Sequence, residues 1–136
     1  MIVVAQVHGV VVSGVAGLVI RVEVEVAQGL PSVGVIGLAD AAVGESKWRV
    51  RSAIGNAGCK WPAARVTIGL SPADIPKHGT SLDLPIAVGI LLATEQIPAS
   101  SAHGATFIGE LGLDGELRAF RAALPAAIAA QRCGIN

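Results

Sequence analysis

The chain has 136 residues, the size of one domain, and 52% of them are hydrophobic while only 15% are charged. This composition excludes intrinsic disorder, which requires low hydrophobicity and high charge. Ten basic and ten acidic side chains cancel to a formal net charge of zero, which excludes the strongly basic balance of a chain-wide nucleic-acid surface. The aromatic residues are only Trp48, Trp61, Phe107 and Phe120, so we expect no aromatic platform on which single-stranded bases could stack.

Residues 1–20 carry no Lys, Arg, Asp or Glu, and a stretch of that length could cross a bilayer. Its valine blocks are broken by single glycines, and it lacks the basic flank that opens a signal peptide. We therefore predict two short buried strands, at residues 2–8 and 10–13. The two cysteines, Cys59 and Cys133, have no CxxC spacing, which is typical of reduced thiols in a cytosol. We expect a cytoplasmic protein that does not contact a membrane.

Hydrophobic periodicity predicts three further strands. Residues 21–26 alternate strictly between charged residues and valine, as in a strand with one buried face. Turn-forming residues at 28–31 precede a second strand at 32–36, and a third is predicted at 65–70. A hairpin is expected between residues 106–111 and 116–118 around Asp114-Gly115, the strongest short turn signal in the chain.

Three helices are predicted. Asp40 is a candidate N-cap for a helix that continues to about residue 57, where Gly58 is a candidate C-cap. A second helix is expected to begin near Ser81 to Pro85 and to continue to about Gln96, and a third covers about 121–133. Strands come first and helix–strand units follow, which indicates an α+β fold with helices packed on a mixed sheet.

The charged residues are distributed unevenly along the chain. Residues 41–80 contain six basic side chains against Glu45 and Asp74, whereas both flanking segments are net acidic. Lys47 and Arg51 are four residues apart on the first predicted helix and would share one face, with Arg49 roughly opposite. This pair is the candidate interaction face of the chain. A solvated helix face without a partner is the simpler interpretation, and both stay open.

No dedicated cofactor or metal site is predicted in this chain. It contains no GxxxxGK[ST] phosphate-binding loop, and its three histidines lie far apart without a metal-binding spacing.

The loop Pro76-Lys77-His78-Gly79-Thr80-Ser81 delivers a serine hydroxyl to the start of the second helix. Backbone N–H groups at a helix N-terminus favour developing negative charge, so Ser81 is a candidate nucleophile. It is equally a candidate N-cap. A nucleophilic serine needs a base, and because no histidine–carboxylate pair is evident, a lysine would have to serve.

This loop resembles the PKDGPSAG loop of Lon-type proteases, and residues 107–118 (FIGELGLDGELR) resemble the TGEITLRG strand pair of the same enzymes. The resemblance covers nearly the whole chain and implies the fold of ribosomal protein S5 domain 2. It places the nucleophile of the catalytic dyad on Ser81 and the catalytic lysine on Leu124. Leucine cannot accept a proton, so the resemblance implies a degenerate dyad and no catalytic residue.

A closer resemblance is to the N-terminal domain of magnesium-chelatase-like AAA+ ATPases of the ComM/YifB type. It rests on four segments: Gly29-Leu30-Pro31, residues 37–46 (GLADAAVGES), residues 49–54 (RVRSAI) and residues 81–87 (SLDLPIA). Ala39 stands where the family often has proline. The resemblance implies a cytosolic protein that continues into a P-loop ATPase module, which would bind ATP and Mg. It also implies a homo-hexamer that drives DNA branch migration in recombination or natural transformation.

These resemblances lead us to expect one Lon-like domain over residues 1–136, as a fragment of a longer AAA+ protein. Its partners would be its own ATPase module and the other subunits, with weak DNA binding by the isolated domain. Two alternatives stay open. One is the Lon-like domain of a RadA-type recombination ATPase, in which the ATPase motifs would precede this segment. The other is an active serine peptidase, which Leu124 argues against.

Overall fold

The computed structural model describes residues 2–13, 16–37, 39–77, 79–102 and 104–118. It contains a four-stranded mixed sheet whose strand order is β1-β2-β4-β3. The strands are β1 (Ile2–Ser13), β2 (Ala16–Ala27), β3 (Ser32–Ile36) and β4 (Arg65–Ser71). β2 pairs antiparallel with both β1 and β4, whereas β3 is parallel to β4. The expected α+β fold with helices on a mixed sheet is confirmed.

The alternation that predicted β2 matches the burial of its side chains. Val22 and Val24 are fully buried, while Arg21 on the opposite face is exposed and Glu23 and Glu25 are partly exposed. The strand is longer than predicted because its pairing with β1 continues from Ala27 back to Ala16. One face of the sheet therefore covers the core and the other faces solvent.

The prediction of two short strands before residue 14 is wrong, because β1 runs unbroken through Gly9. Gly9 serves close packing at this position. A Cβ there would lie 2.7 Å from Cγ of Pro85 and 2.8 Å from Cδ2 of Leu82. The missing side chain lets the start of the second long helix approach the sheet, so this glycine marks contact between two layers.

The helices are α1 (Ala41–Gly44), α2 (Ser46–Asn56), α3 (Asp83–Ala93) and α4 (Ala99–Ala102). The predicted cap is confirmed, since Oδ1 of Asp40 accepts from the amide of Val43 at 2.8 Å. The single helix expected from Asp40 to about 57 is instead interrupted at Glu45. At the C-terminal end Ala57 occupies the C-cap position, and Gly58 directly after it adopts φ +84° while its amide donates to the carbonyl of Gly55. The predicted end of the helix at Gly58 is confirmed, with the cap one residue earlier.

α3 lies against β1 and β2 and forms most of the contact between the helices and the sheet. Its Ile86 and Ile90 are fully buried. A Cβ on Gly89 would lie 2.7 Å from Cγ2 of Val24, so this glycine also permits close packing. The helix ends at Ala93, three residues before the predicted end, and Glu95 then turns the chain with φ +58°.

The segment after α4 follows the outer edge of β1. The amide of His8 donates to the carbonyl of Ala105, and the amide of Phe107 donates to the carbonyl of His8, both at 2.9 Å. The predicted hairpin is present as β5 (Glu110–Leu111) and β6 (Leu117–Arg118). Its first arm is shorter than expected because Thr106 pairs with β1 instead. No helix among the described residues is long and apolar enough to cross a membrane. The helix predicted at 121–133 lies outside them.

Candidate functional site

Ser81 lies in a turn directly before α3 and is partly buried. The prediction that it caps the helix is wrong. Leu82 occupies the N-cap position with helical dihedral angles and makes no side-chain cap, and the turn is closed by the amide of Asp83, which donates to the carbonyl of Thr80 at 3.2 Å. The hydroxyl of Ser81 makes no hydrogen bond to another described residue. Leu124, the predicted partner position, lies outside the described residues, so the degenerate dyad stays a prediction.

Lys77 is the nearest lysine in sequence to Ser81, and its side chain is fully buried. Its amine donates to the carbonyl of Pro72, and its own carbonyl accepts from the amide of Asp40 at 3.1 Å. Burial lowers the pKa of the Lys77 amine below the ordinary 10.5, against a smaller opposing effect of Asp74. Lys77 therefore holds the loop together and ties it to the start of α1. No contact between its amine and Ser81 is found.

A buried ionic network joins α2 to α3. The carboxylate of Asp83 accepts from Nε of Arg49 at 2.6 Å and from Nη2 of Arg49 at 3.0 Å. The hydroxyl of Ser46 donates to the same carboxylate. Nη2 of Arg49 also donates to the carbonyl of Ala42 at 2.6 Å. A carboxylate this deeply buried is stable only when it is paired with a cation and hydrogen-bonded. Arg49 and Ser46, both on α2, meet these two conditions.

The network fixes the rotation of α2 about its axis. The side chain of Asp83 is 4% exposed and that of Arg49 is 25% exposed. The hydrogen bond to Asp83 is the main reason that the pKa of Arg49 is raised above its ordinary value, and burial opposes it. Ser46, Arg49 and Asp83 all lie in the segments that resemble the family, but the sequence predicted no role for them. A carboxylate in the first turn of an otherwise apolar helix was the available signal.

The opposite side of α2 carries Lys47 and Arg51 beside an open groove. The groove has a volume of about 480 Å³. Nζ of Lys47 lies 5.4 Å from the ring centre of Trp48, and Cζ of Arg51 lies 5.9 Å from the ring centre of Trp61. The sequence predicted no aromatic surface because the chain has so few aromatic residues, but the fold brings Trp48 and Trp61 to this groove. Its lining is Pro31, Ser32, Val33, Lys47, Trp48, Arg51, Trp61, Pro62 and Ala63.

The described residues contain no cluster of three His, Cys, Asp or Glu side chains that could hold a metal ion. A second, smaller pocket of about 200 Å³ lies between α2, α3 and the β5–β6 hairpin. Its lining is almost entirely apolar, and only the half-buried Cys59 adds a reactive atom. This pocket supplies no convergent polar groups for chemistry.

Comparison with known proteins identifies the family. A family model described as subunit ChlI of Mg-chelatase matches residues 22–136. The chain belongs to this family. It is 45% identical over 132 residues to the protein YifB of Salmonella typhimurium, which covers 97% of this chain and 26% of that protein. It is 44% identical over 119 residues to Competence protein ComM of Haemophilus influenzae, which covers 88% of this chain and 23% of that protein.

YifB of Escherichia coli is 43% identical over 128 residues, which cover 94% of this chain and 25% of that relative. The expected membership in the magnesium-chelatase-like family of the ComM/YifB type is thereby confirmed. The chain spans about a quarter of the length of these relatives.

Proposed function

We propose that the chain is a non-catalytic accessory domain of a cytoplasmic magnesium-chelatase-like AAA+ ATPase. The complete protein would be an ATP-dependent DNA branch-migration helicase used in recombination or natural transformation. The observation that carries this proposal is the 44% identity to Competence protein ComM. Because the chain covers only 23% of that relative, the ATPase module with its ATP and Mg would lie in the remainder of the complete protein, which would assemble as a hexamer.

The finer fold proposal is the Lon-like arrangement of ribosomal protein S5 domain 2. A mixed sheet with helices on one face, in which the segment after β4 leads into α3, is compatible with it. The proposal that the domain is not catalytic is supported by two observations. Lys77 donates its amine to Pro72 rather than to Ser81, and the sequence has Leu124 at the position where the resemblance requires a lysine.

The peptidase alternative has one observation in its favour, the lowered pKa of the buried Lys77 amine. A lysine with a lowered pKa can act as a general base. The test is the rate at which the chain cleaves unfolded casein, compared among the wild type, Ser81→Ala and Lys77→Met. We expect no serine-dependent cleavage. A measurable rate that disappears in Ser81→Ala would establish a peptidase. Since Ser81 makes no cap, Ser81→Ala should change the free energy of unfolding by less than about 0.5 kcal/mol.

The helicase proposal is tested on the complete protein with a four-way DNA junction. We expect the complete protein to form a hexamer and to move the junction when ATP is present. A protein that neither forms a hexamer nor moves the junction would contradict the proposal. The 136-residue chain alone should bind duplex DNA weakly, because its net charge is zero and affinity depends on the number of phosphates neutralised. Micromolar or tighter binding that persists at about 200 mM salt would show that this domain itself contacts DNA.

A further inference from the structure

The groove beside α2 contains two tryptophans, each next to a cation. Trp48 is 58% exposed, and Trp61 is partly buried. A cation that lies over an aromatic face is held there by the ring quadrupole. Lys47 and Arg51 are therefore restrained at the groove, and they lose less conformational freedom than free surface side chains when they bind an anion.

The groove reaches the start of β3, the edge strand of the sheet, where Ser32 and Val33 line it. β3 lies at the end of the strand order, and no other described strand pairs with its outer side. The amide of Ser32 donates to Ala64 at 3.3 Å, on the side of β4. Amides alternate in direction along a strand, so those of Val33 and Val35 point to the free edge. Such an edge pairs readily with an added extended chain.

The charge at the groove is of one sign. Its lining includes Lys47 and Arg51 and no carboxylate. An extended chain that lies along β3 would therefore meet positive charge, and acidic side chains would complement it.

We propose that this groove binds an extended acidic segment of a partner protein, which adds as a strand to the free edge of β3. Its acidic side chains pair with Lys47 and Arg51, and an apolar side chain packs between Trp48 and Trp61. A peptide fits the free edge better than a nucleic-acid strand does, because its backbone supplies the donors and acceptors that Val33 and Val35 leave open. This inference goes beyond the ATPase proposal and does not depend on it, since the described residues that line the groove all belong to this chain.

The test uses a fluorescein-labelled peptide of about ten residues, enough to span the five residues of β3. The peptide alternates Glu with Val, Leu and Phe. Binding to the 136-residue chain is measured by fluorescence anisotropy. The groove variant is Lys47→Glu with Arg51→Glu. The matched control is Arg21→Glu with Arg118→Glu, which changes the net charge equally and replaces two exposed cations away from the groove. Both variants are first checked for an unchanged thermal midpoint.

We expect saturable binding that weakens by about tenfold or more in the groove variant and stays within about twofold in the control. Peptides N-methylated at alternate residues separate edge pairing from simple charge attraction. Methylation in one register should abolish binding, whereas methylation in the other should leave it unchanged. This measurement needs no variant protein.

Four results would overturn the proposal. The first is no saturable binding of the acidic peptide. The second is equal weakening in the groove and control variants. The third is displacement of the peptide by a single-stranded thymidine oligonucleotide of about 20 nucleotides at lower concentration than by unlabelled peptide, which would assign the groove to nucleic acid. The fourth is concentration-dependent dimerisation that the groove variant abolishes, which would assign the groove to a second copy of this chain.

Discussion

Removal of Arg49 tests whether the Asp83 network determines the position of α2. In Arg49→Met, the buried carboxylate loses two of its three hydrogen bonds and retains only that from Ser46. A hydrogen bond to a charged group contributes about 1.5–3 kcal/mol. Because the Arg49 side chain is 25% exposed, water can reach part of the site, and the lower end of that range applies. We expect a loss of about 3 kcal/mol in the free energy of unfolding.

The assay is urea unfolding of the single and double variants in a double-mutant cycle. Asp83→Leu should cost about 2 kcal/mol, because Arg49 is left partly exposed rather than fully buried. Arg49→Met with Asp83→Leu should cost less than the sum of the two single changes by about 2 kcal/mol. Ser46→Ala, which removes one hydrogen bond to the carboxylate, should cost about 1 kcal/mol and gives a milder variant.

Arg51→Met is the matched control for this cycle, since it changes an exposed arginine of the same helix. It should change the free energy of unfolding by about 0.5 kcal/mol or less. If Arg49→Met costs less than about 1 kcal/mol, or if the two changes are additive, the network does not hold α2 against α3 and the reasoning is wrong.

Three further tests concern local features of the fold. Asp40→Ala should lower the free energy of unfolding by about 1 kcal/mol, because the amide of Val43 loses its acceptor; no change in the urea midpoint would contradict the cap. Gly89→Ala should destabilise the protein by about 1–3 kcal/mol, because the added Cβ would collide with Val24. Gly55→Ala should stabilise it by about 0.5–1 kcal/mol, because a Cβ at this position in α2 meets open space. Thermal unfolding of the two variants checks that the midpoint falls for the first and rises for the second. Burial lowers the pKa of Lys77, so just below pH 10.5 the unfolded chain binds more protons at this residue than the folded chain does. The free energy of unfolding of the wild type relative to Lys77→Met should therefore rise with pH up to about 10.5 and fall again as the pH is lowered. The exposed Lys60→Met is the control, and a difference between wild type and Lys77→Met that does not change with pH would refute the effect of burial.

Local signals predicted the elements whose structure depends on near neighbours in sequence. The charged–valine alternation of residues 21–26 identified β2, and turn residues at 28–31 located the start of β3. Asp40 and Gly58 marked the two ends of the α1–α2 region, because each satisfies backbone groups within a few residues. In each of these cases the signal lies within the element itself or in the turn beside it.

The features that sequence reasoning missed depend on contacts between distant residues. Arg49 and Asp83 are 34 positions apart, and neither residue alone indicates the other. Gly9 resembled a strand break until α3 was placed against it, where its missing Cβ became the requirement. The sequence placed Lys77 in the loop before Ser81 and gave no sign of its burial, which arises because the loop closes over it and supplies the carbonyl of Pro72.

The two sides of α2 explain why charge counting along the chain could not separate structure from function. Arg49 and Arg51 are only two positions apart, but residues at that spacing point in widely different directions on a helix. Arg49 is committed to Asp83 inside the protein, whereas Arg51 and Lys47 lie at the groove. The basic excess of residues 41–80 is therefore divided between a structural cation and an external pair. Because the internal contact fixes the rotation of the helix, it also determines that the external pair lies at the groove beside Ser32 and Val33, at the start of β3.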